Sequence, residues 1–97
     1  MNMLTHIVFF KLHDRSLENK QKFRDALESM RGKIPQIRAM EVGVNVVESA
    51  RAYDVALYQK FDSLDTMQEY QTHPIHQTLL PYLRESSESI VAVDYKG

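Results

Sequence analysis

The sequence predicts an α+β domain: a four-stranded antiparallel sheet with its helices on one face, in β-α-β-β-α-β order. Three observations predict it. Runs rich in β-branched and aromatic residues open and close the chain, at 3–12 and 89–95. Segments of helical period follow the first run and precede the last. Two more alternating runs, 37–47 and 52–61, flank the short polar link ESAR, which marks them as an antiparallel hairpin. This order is the split βαβ, ferredoxin-like arrangement.

Each element has its own signal. In MLTHIVFFKL, His6, Val8, Phe10 and Leu12 point one way, and Thr5, Ile7, Phe9 and Lys11 the other. A strand apolar on both sides is usually covered on both sides. The first helix carries Phe23, Ala26, Leu27, Met30 and Ile34 on one face. Ser16 is its N-cap, Glu18 suits its first turn, and Gly32 and Pro35 mark its end. In the hairpin, Met40, Val42, Val44 and Val46 share a face, as do Tyr53, Val55, Leu57, Gln59 and Phe61. A short helix over 63–71 is capped by Ser63, with Leu64, Met67 and Tyr70 on one face. A second helical piece begins at Pro74, with Ile75, Leu79 and Leu83 as its apolar positions, and Pro81 is expected to break or kink it. The uncovered sheet face carries Ile7, Phe9 and Ile90, which predicts a homodimer through that face.

Bulk properties narrow the function. With 97 residues the chain is one domain, 1–97. A domain near this size buries roughly 60–70% of the surface its unfolded chain exposes, so further apolar surface needs a partner. Net charge is −1, and no lysine or arginine run stands out, so nucleic acid is not the expected partner. The chain has no cysteine, which excludes disulfides, thiolate metal sites and a thiol nucleophile and fits a cytoplasmic location. No signal peptide is read at the N-terminus, and no stretch approaches the ~20 apolar residues of a membrane span.

The chemistry concentrates in EYQTHPIHQ, residues 69–77. Together with HIVFFKL at the start, IPQIRAMEVGVNV, YDVALYQKFDSLDTMQEYQTHPIHQ and the closing VAVDY, it resembles the stress-responsive dimeric α/β-barrel (Dabb) family across nearly the whole chain. The resemblance implies two subunits packed sheet to sheet into a barrel, each with a cavity between its sheet and its helices. Activities in the family vary. One plant branch contains polyketide cyclases, which close a poly-β-keto chain by aldol chemistry without a cofactor. Carried over, the tyrosine and second histidine of the motif, Tyr70 and His76, would be the catalytic pair, and His6 would line the same cavity. The chain departs from that branch at Leu27, near which the cyclases place a hydroxyl-bearing aromatic, so polyketide substrates are not implied. Some family structures hold a hard cation on main-chain carbonyls after the first helix, here by position Arg31, Ile34 and Ile37.

The residues themselves are compatible with acid–base work. Pro74 suits a first helical position, which puts His73 at the N-cap and His76 in the first turn. The positive end of the helix disfavours an imidazolium, so His76 is expected to be neutral near pH 7 and able to accept a proton. A tyrosine hydroxyl could then hold a developing enolate oxygen. The plainer readings are that His73 only caps, that Tyr70 is a core tyrosine and that His6 is a packed, hydrogen-bonded histidine. His73-x-x-His76 has the spacing of two zinc ligands, but a zinc site needs more, and only His6 and His13 remain. A heme site would need an axial ligand and a far larger pocket.

The expectation is therefore a cytoplasmic homodimer binding a small, largely apolar or aromatic molecule without a cofactor. Its cavity would be lined by His6, Val8, Phe10, Phe23, Leu27, Val55, Tyr70, His73, His76 and Leu79. His76 would act as base and Tyr70 as donor in cyclase, isomerase or lyase chemistry. The rival is a structural protein with a filled core and no site.

Overall fold

In a computed structural model, which describes residues 3–97, the elements alternate as the sequence pattern requires. They are β1 (Leu4–Leu12), α1 (Leu17–Glu28), β2 (Ala39–Val44), β3 (Val55–Phe61), α2 (Leu64–Gln71), α3 (Pro74–Ser86) and β4 (Ser87–Lys96). The strands form one antiparallel sheet in the order β2-β3-β1-β4. β1 and β3 are central, so their inward residues are the most deeply covered: Val8, Phe10, Leu12, Val55, Leu57 and Phe61 are all buried beneath the helices. Phe23 and Leu27 of α1 fill the other side of this core. Burying each such side chain contributes about 1.5–3 kcal/mol.

Helix starts follow local chemistry. The Ser16 hydroxyl accepts a hydrogen bond from the Asn19 amide at 3.2 Å, and the Ser63 hydroxyl accepts one from the Thr66 amide at 3.1 Å. The first helix ends earlier than its period predicts, at Glu28. Met30 and Ile34 still reach the core, but from the turns that follow. Gly32 lies among these turns at φ +76°, a left-handed conformation that costs a glycine least.

Four further expectations are corrected. The hairpin link is not ESAR alone: the chain leaves β2 at Val44 and enters β3 at Val55. Val46, read as a strand residue, is 92% exposed, because β-branching favours a strand only where a neighbour covers it. What sets the start of β3 is Asp54, fully buried before it. Its carboxylate accepts from the Leu12 amide at 2.8 Å and from Arg15 Nε at 3.0 Å, while its own amide donates to the Phe10 carbonyl at 2.8 Å. Lys20 Nζ lies 3.5 Å from the same carboxylate and 2.6 Å from Glu48. This cluster ties the end of β1, the start of α1 and the β2–β3 link together.

Pro81 does not interrupt α3, which runs unbroken to Ser86. Its ring is exposed, and Leu80 and Leu83 anchor the helix on either side of it. Ile90 does not belong to the open face, because it pairs with inward-facing Phe10 in the β1–β4 register. The open face instead carries Ile7, Phe9, Val91, Val93 and Tyr95, with Val93 59% exposed.

Candidate binding site between the sheet and the last two helices

A cavity of about 480 Å³ lies between the β1–β4 side of the sheet and the α2–α3 pair. Its sheet side is Val8, Phe10 and Leu57 with Ile90 and Ala92 of β4, and His6 stands among them. Its helix side is Tyr70, Gln71 and Thr72 from the α2 end, then His76, Gln77, Leu80, Leu83 and Arg84 along α3, with Leu27 of α1 behind.

Of the residues expected from the sequence, the fold brings His6, Val8, Phe10, Leu27, Tyr70 and His76 together there. It does not bring Phe23, Val55, His73 or Leu79. Phe23 is sealed in the core, edge-on to Phe10 with ring centroids 4.9 Å apart. Val55 sits opposite Val44, toward the β2 edge. His73 is turned to its own helix, where Nδ1 accepts from the Ile75 amide at 3.1 Å. Leu79 lies in a separate surface groove with Ile75 and Ser29. The reason is the rotation of α3. Its cavity stripe is His76, Leu80, Leu83 and Arg84, at i, i+4, i+7 and i+8, while Ile75 and Leu79 form the adjacent stripe.

His76 is positioned by the short break between α2 and α3. Pro74 opens α3, and the chain turning there lets His76 Nδ1 meet the Gln71 carbonyl at 3.0 Å. A carbonyl only accepts, so Nδ1 carries the hydrogen and the neutral ring keeps its lone pair on Nε2. Burial holds the His76 pKa below its ordinary value. The Gln71 hydrogen bond works against that shift, and the charges of His6, Arg84 and His73 reinforce it. Burial, more than the helix start, is therefore what disfavours the imidazolium.

Tyr70 packs its ring on His76, with centroids 4.5 Å apart, and lies 6.3 Å from the His6 ring. The residue is 1% exposed, and its hydroxyl donates weakly to Met30 Sδ at 3.8 Å. Burial pushes its pKa up to about 12, opposed by a hydrogen bond from the Gln59 side chain. At neutral pH this hydroxyl is a donor and not a base. On the far side of the cavity His6 Nδ1 is paired with the Asp94 carboxylate of β4. The β1–β4 register sets His6 directly opposite Asp94.

Leu57, Gln71, Thr72, Gln77, Leu80, Leu83, Arg84, Ile90 and Ala92 also line the cavity and were not expected there from the sequence. Alternation in β4, read from Asp94 back to Ile90, would have found the strand members. Among the described residues, no three histidine, aspartate or glutamate side chains converge on a metal position, so His73-x-x-His76 has no side-chain third ligand. Arg31, Ile34 and Ile37 border a shallow surface hollow, where the Ile34 carbonyl already accepts from the Ile37 amide at 3.2 Å.

Comparison with known proteins accords with this fold. The sequence pattern of Dabb, the Stress responsive A/B Barrel Domain, matches residues 4–97. The chain belongs to the Dabb family. An uncharacterised protein of Streptomyces coelicolor is 31% identical over 97 residues, which span 97% of this Dabb chain and 99% of the relative. A dimeric protein of unknown function and ferredoxin-like fold from Bacteroides fragilis is 40% identical, with a TM-score of 0.81 over 98% of this chain and 96% of that one. A hydroxynitrile lyase from Passiflora edulis superposes with a TM-score of 0.83 over 98% and 93% of the two chains. Its identity is 15%, so the likeness is one of fold.

Proposed function

We propose that this Dabb chain is a homodimer, in a stress response, whose subunits each bind a small, largely apolar or aromatic molecule beneath His76. The observation that carries the reading is the His76 ring itself. It lines a cavity of about 480 Å³, its Nδ1 hydrogen is committed to Gln71, and its pKa is lowered. A volume in the range of roughly 300–1,000 Å³ is typical of small-molecule pockets. The second copy would cover the open sheet face of Ile7, Phe9, Val91 and Val93, as the dimeric state of the Bacteroides fragilis relative supports.

The chemistry proposed is cofactor-free proton transfer, of the kind used by cyclases, isomerases and lyases. His76 Nε2 takes a proton from a carbon beside a carbonyl, and the C–H electron pair moves toward the carbonyl oxygen as the enolate forms. Tyr70, once its hydroxyl turns from Met30 Sδ toward the cavity, donates its hydrogen to that oxygen. Its thioether partner is a weak acceptor, and an enolate oxygen is a far stronger one.

The burial of Tyr70 favours one competing reading, in which it and His76 are packing residues of a non-catalytic protein. Deuterium exchange into the methyl group of acetophenone, followed by NMR, separates the two. The wild-type dimer should accelerate exchange, by about 10²–10⁴-fold if general-base catalysis is at work. His76→Ala should abolish the acceleration with the dimer intact, and Tyr70→Phe should reduce it. An undiminished rate in His76→Ala would sink the assignment of the base. No acceleration by the wild type would favour the packing reading.

A further inference from the structure

We propose that the cavity selects ligands that carry a carboxylate, held by Arg84 at its rim while the apolar body lies over Val8, Phe10 and Ile90. The inference rests on the pocket reading above and adds the charge class of its occupant. Arg84 is the single lysine, arginine, aspartate or glutamate among the residues lining the cavity. Its charge is also unanswered. Arg15 pairs with Asp54, Arg24 with Asp25, Arg31 with Glu28 and Arg38 with Asp62, while Arg51, like Arg84 without an ion pair, lies away from this cavity. Among the described residues, the Arg84 guanidinium enters no such ion pair and no side-chain hydrogen bond.

The remaining polar lining cannot play the anion's part. Gln71, Thr72 and Gln77 are neutral, and the Asp94 carboxylate, outside the lining, is engaged with His6. A guanidinium presents two parallel N–H donors that match the two oxygens of a carboxylate, and Arg84, exposed at the rim, is open to an incoming one. Arg84 and His76 stand eight residues apart on the same stripe of α3, so the rise of the helix separates them by roughly 12 Å. A carboxylate at Arg84 therefore leaves room for an aromatic ring between it and a reacting carbon under His76 Nε2. A basic residue in the last turn also complements the negative end of the helix, a role that needs no ligand.

The test compares 2-naphthoate with its uncharged isostere 2-naphthamide, by calorimetric titration of the intact wild-type protein and of Arg84→Gln. The expected result is naphthoate binding at least about tenfold more tightly than naphthamide to the wild type, as a charge-assisted pair warrants. In Arg84→Gln the two affinities should converge on that of naphthamide, whose unchanged binding reports an intact cavity. Equal affinities in the wild type, or a naphthoate preference that survives in Arg84→Gln, would overturn the proposal and leave the pocket standing. Failure of both probes to bind the wild type would overturn the pocket reading with it.

Discussion

The rings of Tyr70 and His76 lie 4.5 Å apart between centroids, inclined at 51°. They come from two helices separated by a two-residue break, Thr72 and His73. The contact shields one face of the imidazole from water, while the Gln71 carbonyl orients the ring from behind.

That burial predicts a pH dependence. Above the ordinary histidine value of 6.5, folded and unfolded chains both hold His76 neutral, and stability is independent of it. As pH falls through that value the unfolded chain gains a proton that the folded chain resists, so stability is lost toward the lowered folded pKa. Melting temperatures recorded from pH 8 to pH 5 should therefore fall more steeply for the wild type than for His76→Gln. An NMR titration should place the His76 midpoint below 6.5. A midpoint at or above it would contradict the buried, neutral ring.

The open sheet face makes a second prediction. Val93 is 59% exposed at the centre of the β4 edge, opposite Ile7. Val93→Asp should leave the far-ultraviolet circular dichroism unchanged and convert a sedimenting dimer to monomer, because a charge has no partner in an apolar interface. A dimer of undiminished affinity would place the interface elsewhere.

The buried Asp54 cluster should dominate stability. Asp54→Ala strips the Leu12 amide and Arg15 of their acceptor, and breaking a buried pair in this way costs about 3–5 kcal/mol. Arg15→Ala leaves Asp54 the Leu12 amide and Lys20, and should cost about 1–3 kcal/mol. Urea unfolding measures both. A loss under about 1 kcal/mol for Asp54→Ala would show that water satisfies the cluster equally well.

Pro81→Ala should raise stability. An internal helical proline costs about 3 kcal/mol relative to alanine, offset by about 0.4–1 kcal/mol from the stiffness it confers on the unfolded chain. A gain of about 1–2 kcal/mol in urea unfolding is expected once relaxation of α3 around the exposed ring is included. Unchanged or lower stability would mean that Pro81 is favoured by a contact.

Much of this molecule is local and therefore readable along the chain. Alternation in β1 assigned His6, Val8 and Phe10 to one face and Ile7 and Phe9 to the other. Ser16, Ser63 and His73 cap the helices as their residue types require. These features depend on neighbours within a few residues, so the sequence determined the element order, the inner and outer faces of the central strands and the start of each helix. It also brought Tyr70 and His76 to notice through their motif. Tertiary structure alone decided the rest. Which stripe of α3 meets the sheet follows from packing against β4 and α1, and it exchanged Leu79 for Leu80 and Leu83 and carried Arg84 to the cavity rim. The β1–β4 register set Asp94 against His6, and the collapse of Met30 and Phe61 around Tyr70 turned its hydroxyl into the core. Helix rotation and strand register minimise the free energy of the whole core, so no short stretch of residues encodes them.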